Sequence, residues 1–487
     1  MKSLCEFSLV GVPPCCTLRS QPHGTGVKRW DLNKHHTTLY RIGYSGRIVA
    51  SRALGVQHVE DWCASVGSSG TFLLQEHDDA EGYVLKEDAP KGTILLSLPG
   101  DIAATLTDVE QDEELGDLAR GRSELISLAI FVSKHKVLGS DSPRKRLMES
   151  LPDSVDSPVF WSDEERVALL KGSPVVKESS QRFRALENEW EVLAESRPSW
   201  LTKDLFLKSM SVVLSHAVFL PSVGCFALLP IIGDIEKTGS ESGALVDYDV
   251  DSNMVCVTSS VGLSAGDSVK VFDGRPNGEI FMATGTVERA NPSDFMTLPA
   301  SLVAADRLYS MKEEVANAMG LSSLVEFPIY EDRLANQHLA YLRMSRLTDP
   351  AQMAKVSFEE DIIISQENEY EILQLLMGDL RELLQNYETG MEEDVKDLQR
   401  TDLSRRERMA AMLRLSEKRI LRGTMDGVRT RLAPIRGIPT KSGGLQDPNA
   451  DLIEIFETLE SIPTAPKKIL EGIKSWARGD QDPNWKR

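Results

Sequence analysis

Four blocks of contrasting periodicity follow one another along the 487 residues. Residues 68–110 alternate short β-like runs with turns. TFLLQE is followed by GYVLKEDAPKGTILLSLPG, in which Pro90-Lys91-Gly92 predicts a turn between two strands. Residues 120–220 read as helices. SELISLAIFVSKHK opens at Ser123 and is apolar over a wide face, and TKDLFLKSMSVVLSHAVFL starts at an N-cap, Thr202. Residues 224–290 return to β, with CFALLPII, ALVDYDV, MVCVTSSV and GDSVKVFDG. From about 298 onward the spacing is helical throughout. Leu373, Leu376, Met377, Leu380, Leu383, Leu384 and Tyr387 line one face, and Ser404 with Glu407 forms a capping box. That box opens a long helix which Pro434 should stop. Helices inserted between two β regions predict an α+β chain and exclude a doubly wound or barrel α/β fold.

Charge and composition narrow the function. A net charge of −19 argues against non-specific nucleic-acid or anionic-membrane binding. No run of about 18 apolar residues is available to span a membrane. Residues 1–52 differ from the rest: eight Lys or Arg stand against two acids, Glu6 and Asp31. A leader rich in Ser, Thr, Arg and Pro, without a continuous apolar core, has the composition of an organelle transit peptide for plastid or mitochondrion. A disordered N-terminus is the plainer reading. Past the leader, Cys63, Cys225 and Cys256 are widely spaced, so no disulfide framework or zinc ribbon is implied. The histidines form no H-x-x-x-H pair, and no metal site is expected. Residues 436–450 read as a linker. DLIEIFETLESI and KKILEGIKSWARG beyond it read as two short amphipathic helices that either fold back on the body or dock a partner.

Four stretches in order resemble one family. GYVLKEDAPKGTILLSLP resembles a "GxGLxAxxDIxxGExLxxLP" opening. LMESLPDSVDSPVFWSDEE matches an LP…FW segment through Leu151-Pro152 and Phe160-Trp161. CFALLPIIGDIEK matches "ALVPxADMxNH". GDSVKVFDGRPNGEIFMATGTVERANPSDF matches a "GEQVxISYGxxSNGELLLxYGFVxxxNPxDx" pattern. From about 70 to 432 the chain is similar to the Rubisco large-subunit lysine methyltransferase family of SET-domain proteins. The resemblance implies a SET-domain β-clip over 68–295 with a helical insert at about 120–220. A helical substrate-binding-like domain would follow over 298–434, then the linker and two short helices of 435–487. It implies S-adenosylmethionine (AdoMet) as cofactor, a protein partner held by the helical domain, and residence in the plastid stroma.

The same alignment locates the chemistry and finds it altered. The glycine pair that lets backbone approach the cofactor is Ala80-Glu81-Gly82, with only Gly82 kept. His216 and Phe219 stand where relatives place arginines. The cofactor-holding Asn-His pair is Glu236-Lys237, and a carboxylate cannot donate as an amide does. The Tyr-Gly ahead of the last helix is Asp273-Gly274. The catalytic tyrosine position is Thr284, with Thr286 beside it. A Thr hydroxyl falls short of a Tyr hydroxyl by roughly the length of a ring. Tyr248 reads as a sheet residue and not a replacement. Meanwhile Pro99, Pro230, Asp234, Gly266, Gly274, Asn277, Gly278, Glu279 and Gly285 keep the skeleton.

Three readings follow. The first is a catalytically degenerate relative acting as a protein-binding scaffold. The second is an active AdoMet-dependent protein-lysine methyltransferase with a rebuilt site, and the third is a small-molecule binder using the vacated pocket. A pairing of Glu236 with Lys237, or Phe219 filling the space, would favour the first reading.

Overall fold

The computed structural model describes residues 74–76 and 83–436. The expected leader, Cys63, Ala80, Gly82, and the linker and helices after 436 lie outside the described residues.

The strands form small sheets. Leu74–Glu76 (β1), Tyr83–Leu85 (β2) and Ser268–Val269 (β9) make one antiparallel sheet in the order β1-β2-β9. Ile94–Pro99 (β3), Met254–Thr258 (β8) and Leu245–Asp249 (β7) make a second, in the order β3-β8-β7. Ala217–Leu220 (β4) pairs with Cys225–Leu228 (β5), and Lys237–Thr238 (β6) pairs in parallel with Val271–Phe272 (β10). The expected turn before β3 is present. Thr93 N–H donates to the Pro90 carbonyl at 3.1 Å, and Gly92 takes the positive φ of +86° that such a turn needs. Leu95, Leu98, Val255 and Val257 are buried in one core between these sheets.

The insert is helical, as predicted. Leu106–Gln111 (α1), Leu115–Ala119 (α2), Glu124–Leu138 (α3), Lys145–Ser150 (α4), Asp163–Leu170 (α5), Val175–Ala194 (α6) and Lys203–His216 (α7) run between β3 and β4. Ser123 and Thr202 are the N-caps of α3 and α7, accepting from Ile126 N–H at 3.4 Å and Leu205 N–H at 3.2 Å. α3 is apolar nearly all round because it is the buried centre of the insert, not a surface helix. Asn277–Thr284 (α8) completes this half.

The C-terminal domain departs from the all-helical expectation. Met296–Ser301 (β11) pairs antiparallel with Leu324–Ile329 (β12) over six residues. Met296, Leu298 and Ala300 alternate inward with Phe327 and Ile329, a period of two that reads as strand. Around this ribbon lie Tyr309–Ala318 (α9), Asn336–Ser345 (α10), Gln366–Gln385 (α11), Met391–Gln399 (α12) and Arg405–Ile435 (α13). The Ser404–Glu407 capping box forms. Pro434 sits inside the last turn, and the helix runs one residue past it to Ile435. At a helix end there is little left for a proline to interrupt.

Candidate functional site

The site is built where α7, the segment after β5, and the β6–β10 pair meet. α7 ends at His216. Its imidazole bonds the Val212 carbonyl through Nδ1 at 3.2 Å and the Asp234 carboxylate through Nε2 at 3.1 Å. Both ring nitrogens are therefore occupied within the chain. The segment after β5 then turns sharply. Ile231 has φ +67° and ψ −52°, and Ile232 N–H donates to the Pro230 carbonyl at 2.7 Å. That is a γ-turn of the strained hand, forced on a buried β-branched residue. Residues 232–234 make one short 3-10 turn, and β6 follows at Lys237.

The parallel register places Lys237 opposite Val271 and Thr238 opposite Phe272. Asp273 N–H donates to the Thr238 carbonyl at 2.9 Å. The Asp273 carboxylate takes Arg275 in a two-pronged pair, at 2.5 Å from Nε and 2.7 Å from Nη2. Lys237 is half-buried, and its amine reaches only the Gly233 carbonyl at 3.5 Å. Burial pushes its pKa down to about 8, against the pull of Asp273 and with the help of the Arg275 charge.

Glu236 and Lys237, whose pairing would have favoured the scaffold reading, are not paired. Successive residues of an extended chain point to opposite faces, and Glu236, just ahead of β6, bonds Lys270 at 2.6 Å at the surface. Nor does Phe219 fill the site: it is 43% exposed and packs against Phe226 at 5.3 Å between ring centroids. Tyr248 is a sheet residue of β7, with its hydroxyl on Asn253 at 2.7 Å.

Thr284 ends α8. Its hydroxyl donates to the Ile280 carbonyl at 2.8 Å and lies 2.7 Å from the Thr286 hydroxyl. Gly285 follows as the left-handed cap, φ +69°. A Cβ there would lie 1.9 Å from the Asp156 carbonyl oxygen. Asp156 belongs to the LP…FW segment. It also accepts from Trp161 Nε1 at 2.8 Å and pairs with Arg406 of α13 at 2.9 Å. That motif therefore braces the end of α8 against the C-terminal domain.

Asn277 holds the other end of α8. Its amide donates to the Glu288 carbonyl at 3.0 Å and Asp294 at 2.8 Å, while its oxygen accepts from Glu288 N–H at 3.0 Å. The Glu288 carboxylate in turn accepts from the Thr238 hydroxyl at 2.7 Å and from Gly239 N–H at 2.8 Å. Arg275, Glu288 and Asp294 were not singled out from the sequence. The NG…NPxD spacing around Asn277 marks the region, but the partners come from loops that only the fold brings together.

These contacts test the family's cofactor against the side chains present. AdoMet carries a carboxylate, an ammonium and an adenine. Among the residues at the family's positions, His216 is bonded on both nitrogens, Glu236 faces out to Lys270, and Asp273 is closed onto Arg275. Lys237 alone offers an amine that could meet an anion. Of the family's positions, those described are thus mostly engaged within the chain, while Ala80 and Gly82 lie outside the described residues. No group of three or more His, Cys, Asp or Glu is placed to hold a metal among the described residues.

Residues 303–421 match the family model for the Rubisco LSMT substrate-binding domain. The chain resembles the SET-domain methyltransferases of the Rubisco LSMT type. It is 26% identical over 380 residues to the chloroplastic Rubisco large subunit N-methyltransferase of Nicotiana tabacum, covering 72% of this chain and 76% of that one. Against the chloroplastic fructose-bisphosphate aldolase-lysine N-methyltransferase of Arabidopsis thaliana it is 26% identical over 368 residues, covering 70% and 75%. The actin-histidine N-methyltransferase of Homo sapiens is 23% identical over 393 residues, covering 74% and 66%. Among solved structures, the SET domain of LSMT bound to lysine and AdoHcy superposes with a TM-score of 0.66 at 20% identity, covering 86% of this chain and 98% of that one. Rubisco LSMT bound to AdoMet gives 0.64 at 20% identity, covering 87% and 100%. The fold is that of a SET domain followed by a largely helical domain. The histidine-modifying relatives show that similarity at this level does not fix the acceptor residue.

Proposed function

We propose that this chain is a plastid SET-fold protein that has given up methyl transfer and serves as a scaffold that binds a protein partner through its C-terminal domain. The observation that carries the reading is Thr284. Methyl transfer to an amine needs a neutral nucleophile aligned with the sulfonium, and relatives place a tyrosine where Thr284 stands. Its hydroxyl is short, turned back onto Ile280, and shared with Thr286. The closed Asp273–Arg275 and His216–Asp234 pairs support the same reading. The partner surface is drawn from the part that matches the substrate-binding family. Val303, Met311, Met319 and Leu324 are large, apolar and exposed in that part, and the partner is taken to cover them. Plastid residence rests on the chloroplastic relatives and the basic leader.

Calorimetry of the full chain with AdoMet is expected to show no heat up to millimolar ligand, and labelled AdoMet no transfer into stromal protein. Micromolar binding with label incorporation would overturn the proposal in favour of a rebuilt methyltransferase. Partner capture from stroma is expected to fall at least about tenfold in a Met319→Asp, Leu324→Asp variant, because a charge in the centre of an apolar contact costs several times the ~1.4 kcal/mol that tenfold represents. Equal capture by the variant would remove this surface from the reading.

A further inference from the structure

One acidic and apolar face of the C-terminal domain lies where the described chain ends. Ile362, Ile363 and Tyr370 are 41%, 53% and 41% exposed within nine residues. Glu359, Glu360, Glu367 and Glu371, all exposed, flank them in sequence, and only Glu371 of the four has a cation near it, Arg346 at 3.9 Å, among the ion pairs of the described residues. The stretch is held in place from beneath. The Arg343 guanidinium, fully buried, donates to Asp361 at 2.8 Å and to Glu369 at 2.6 and 2.8 Å, and Arg431 of α13 reaches both acids as well. The loop before α11 and its first turn are therefore fixed on one pair of cations, and Ile362 and Tyr370 each follow one of the two bound acids. Arg436 lies over the Tyr370 ring at 5.4 Å, so the chain leaves α13 at the edge of this face.

The sequence beyond offers a matching segment. The fourteen residues 437–450 can span up to ~45 Å when extended, far more than the face requires. In PKKILEGIKSWAR, residues 466–478, Ile469, Ile473 and Trp476 recur at i, i+4 and i+7. Lys467, Lys468, Lys474 and Arg478 accompany them against a single acid, Glu471, in a protein whose net charge is −19. The other amphipathic stretch, DLIEIFETLESI, is acidic and would meet like charge at the rim.

We propose that residues 466–478 dock intramolecularly on the 359–371 face, setting Ile469, Ile473 and Trp476 on Ile362, Ile363 and Tyr370 within a ring of opposite charges. The proposal is independent of whether the SET half transfers methyl groups.

Amide hydrogen exchange of the full chain tests it. Most of residues 359–364 have no backbone hydrogen bond of their own, so slow exchange there requires a cover. In an Ile473→Asp, Trp476→Asp variant, exchange over 359–371 is expected to quicken about tenfold, with residues 83–300 unchanged. Lys467→Glu, Lys468→Glu should quicken it too, and adding Glu359→Lys, Glu360→Lys should restore protection. Identical exchange in parent and variants would overturn the proposal. So would protection that rises with protein concentration, which would place a second copy on the face instead.

Discussion

Replacement of Asp394 by alanine is expected to lower the stability of the C-terminal domain by about 3–5 kcal/mol, the usual cost of stranding buried charge. Asp394 lies on α12 with no exposed side-chain surface. One carboxylate oxygen receives the Thr389 hydroxyl at 2.8 Å and Arg414 at 3.0 Å, and the other receives Lys418 Nζ at 2.5 Å. Lys418 is itself 1% exposed; it also donates to the Thr389 carbonyl and hydroxyl, at 2.6 and 3.0 Å, and its Nζ lies 5.0 Å from the Tyr387 ring centroid. Burial already pulls the Lys418 pKa down, with Asp394 opposing that pull. Alanine removes the opposing charge and leaves two cations on α13 facing each other across a cavity. Asparagine keeps the shape and the Thr389 bond, so it should cost less than alanine. Urea unfolding followed by helical circular dichroism at neutral pH measures both. A shift under about 1 kcal/mol for alanine would mean that solvent reaches Lys418 and that α12 is not clamped by this pair.

Residues of this kind show where reading the sequence stops. Capping at Ser123, Thr202 and Ser404 was legible because a cap is decided within four residues. The helical insert and its order between two β regions were legible from the change of period. The β11–β12 ribbon was not, although TLPAS and LVEFPI alternate, because 22 residues separate the partners and Pro299 and Pro328 mask the pattern. At the candidate site, the motif resemblance suggests which residues occupy the family's positions but not where their side chains go. Glu236 and Lys237 are neighbours in sequence, and strand alternation sends one to Lys270 and the other inward. Asp273 could only be seen to close on Arg275, and His216 on Asp234, once β6, β10 and the γ-turn at Ile231 were in place.

The second large effect concerns Glu417, one residue before Lys418 on the same helix. Its carboxyl is buried between the two halves of the protein, receiving Ser173 of the insert at 2.7 Å and the Tyr387 hydroxyl at 2.9 Å. Burial raises its pKa from the ordinary 4.5 to about 8; the Ser173 and Tyr387 bonds oppose the rise, and the nearby Asp294 and Glu178 carboxylates add to it. Arg414, Lys418 and Asp394 are the other charges on the elements packed around it, and they pair among themselves. Between those two values the folded chain holds a proton that the unfolded chain has released. Its stability therefore falls as pH rises, by about 1.4 kcal/mol per unit for this group, and levels off above about 8. Glu417→Gln keeps the acceptor and never ionises, so it should match the parent near pH 4.5 and exceed it by a few kcal/mol at pH 8. Glu417→Ala should not, because it leaves the Ser173 and Tyr387 hydroxyls buried without an acceptor. Asp294, also raised by burial, remains in all three proteins, so its own pH dependence is common to them, while its repulsion of an ionised Glu417 is part of the measured gap. Urea midpoints at pH 5 and pH 8 give that difference directly. A gap between parent and glutamine variant that widens with pH would locate a neutral carboxyl at the junction of the SET half and α13, and a gap that stays constant would mean Glu417 is ionised in the fold.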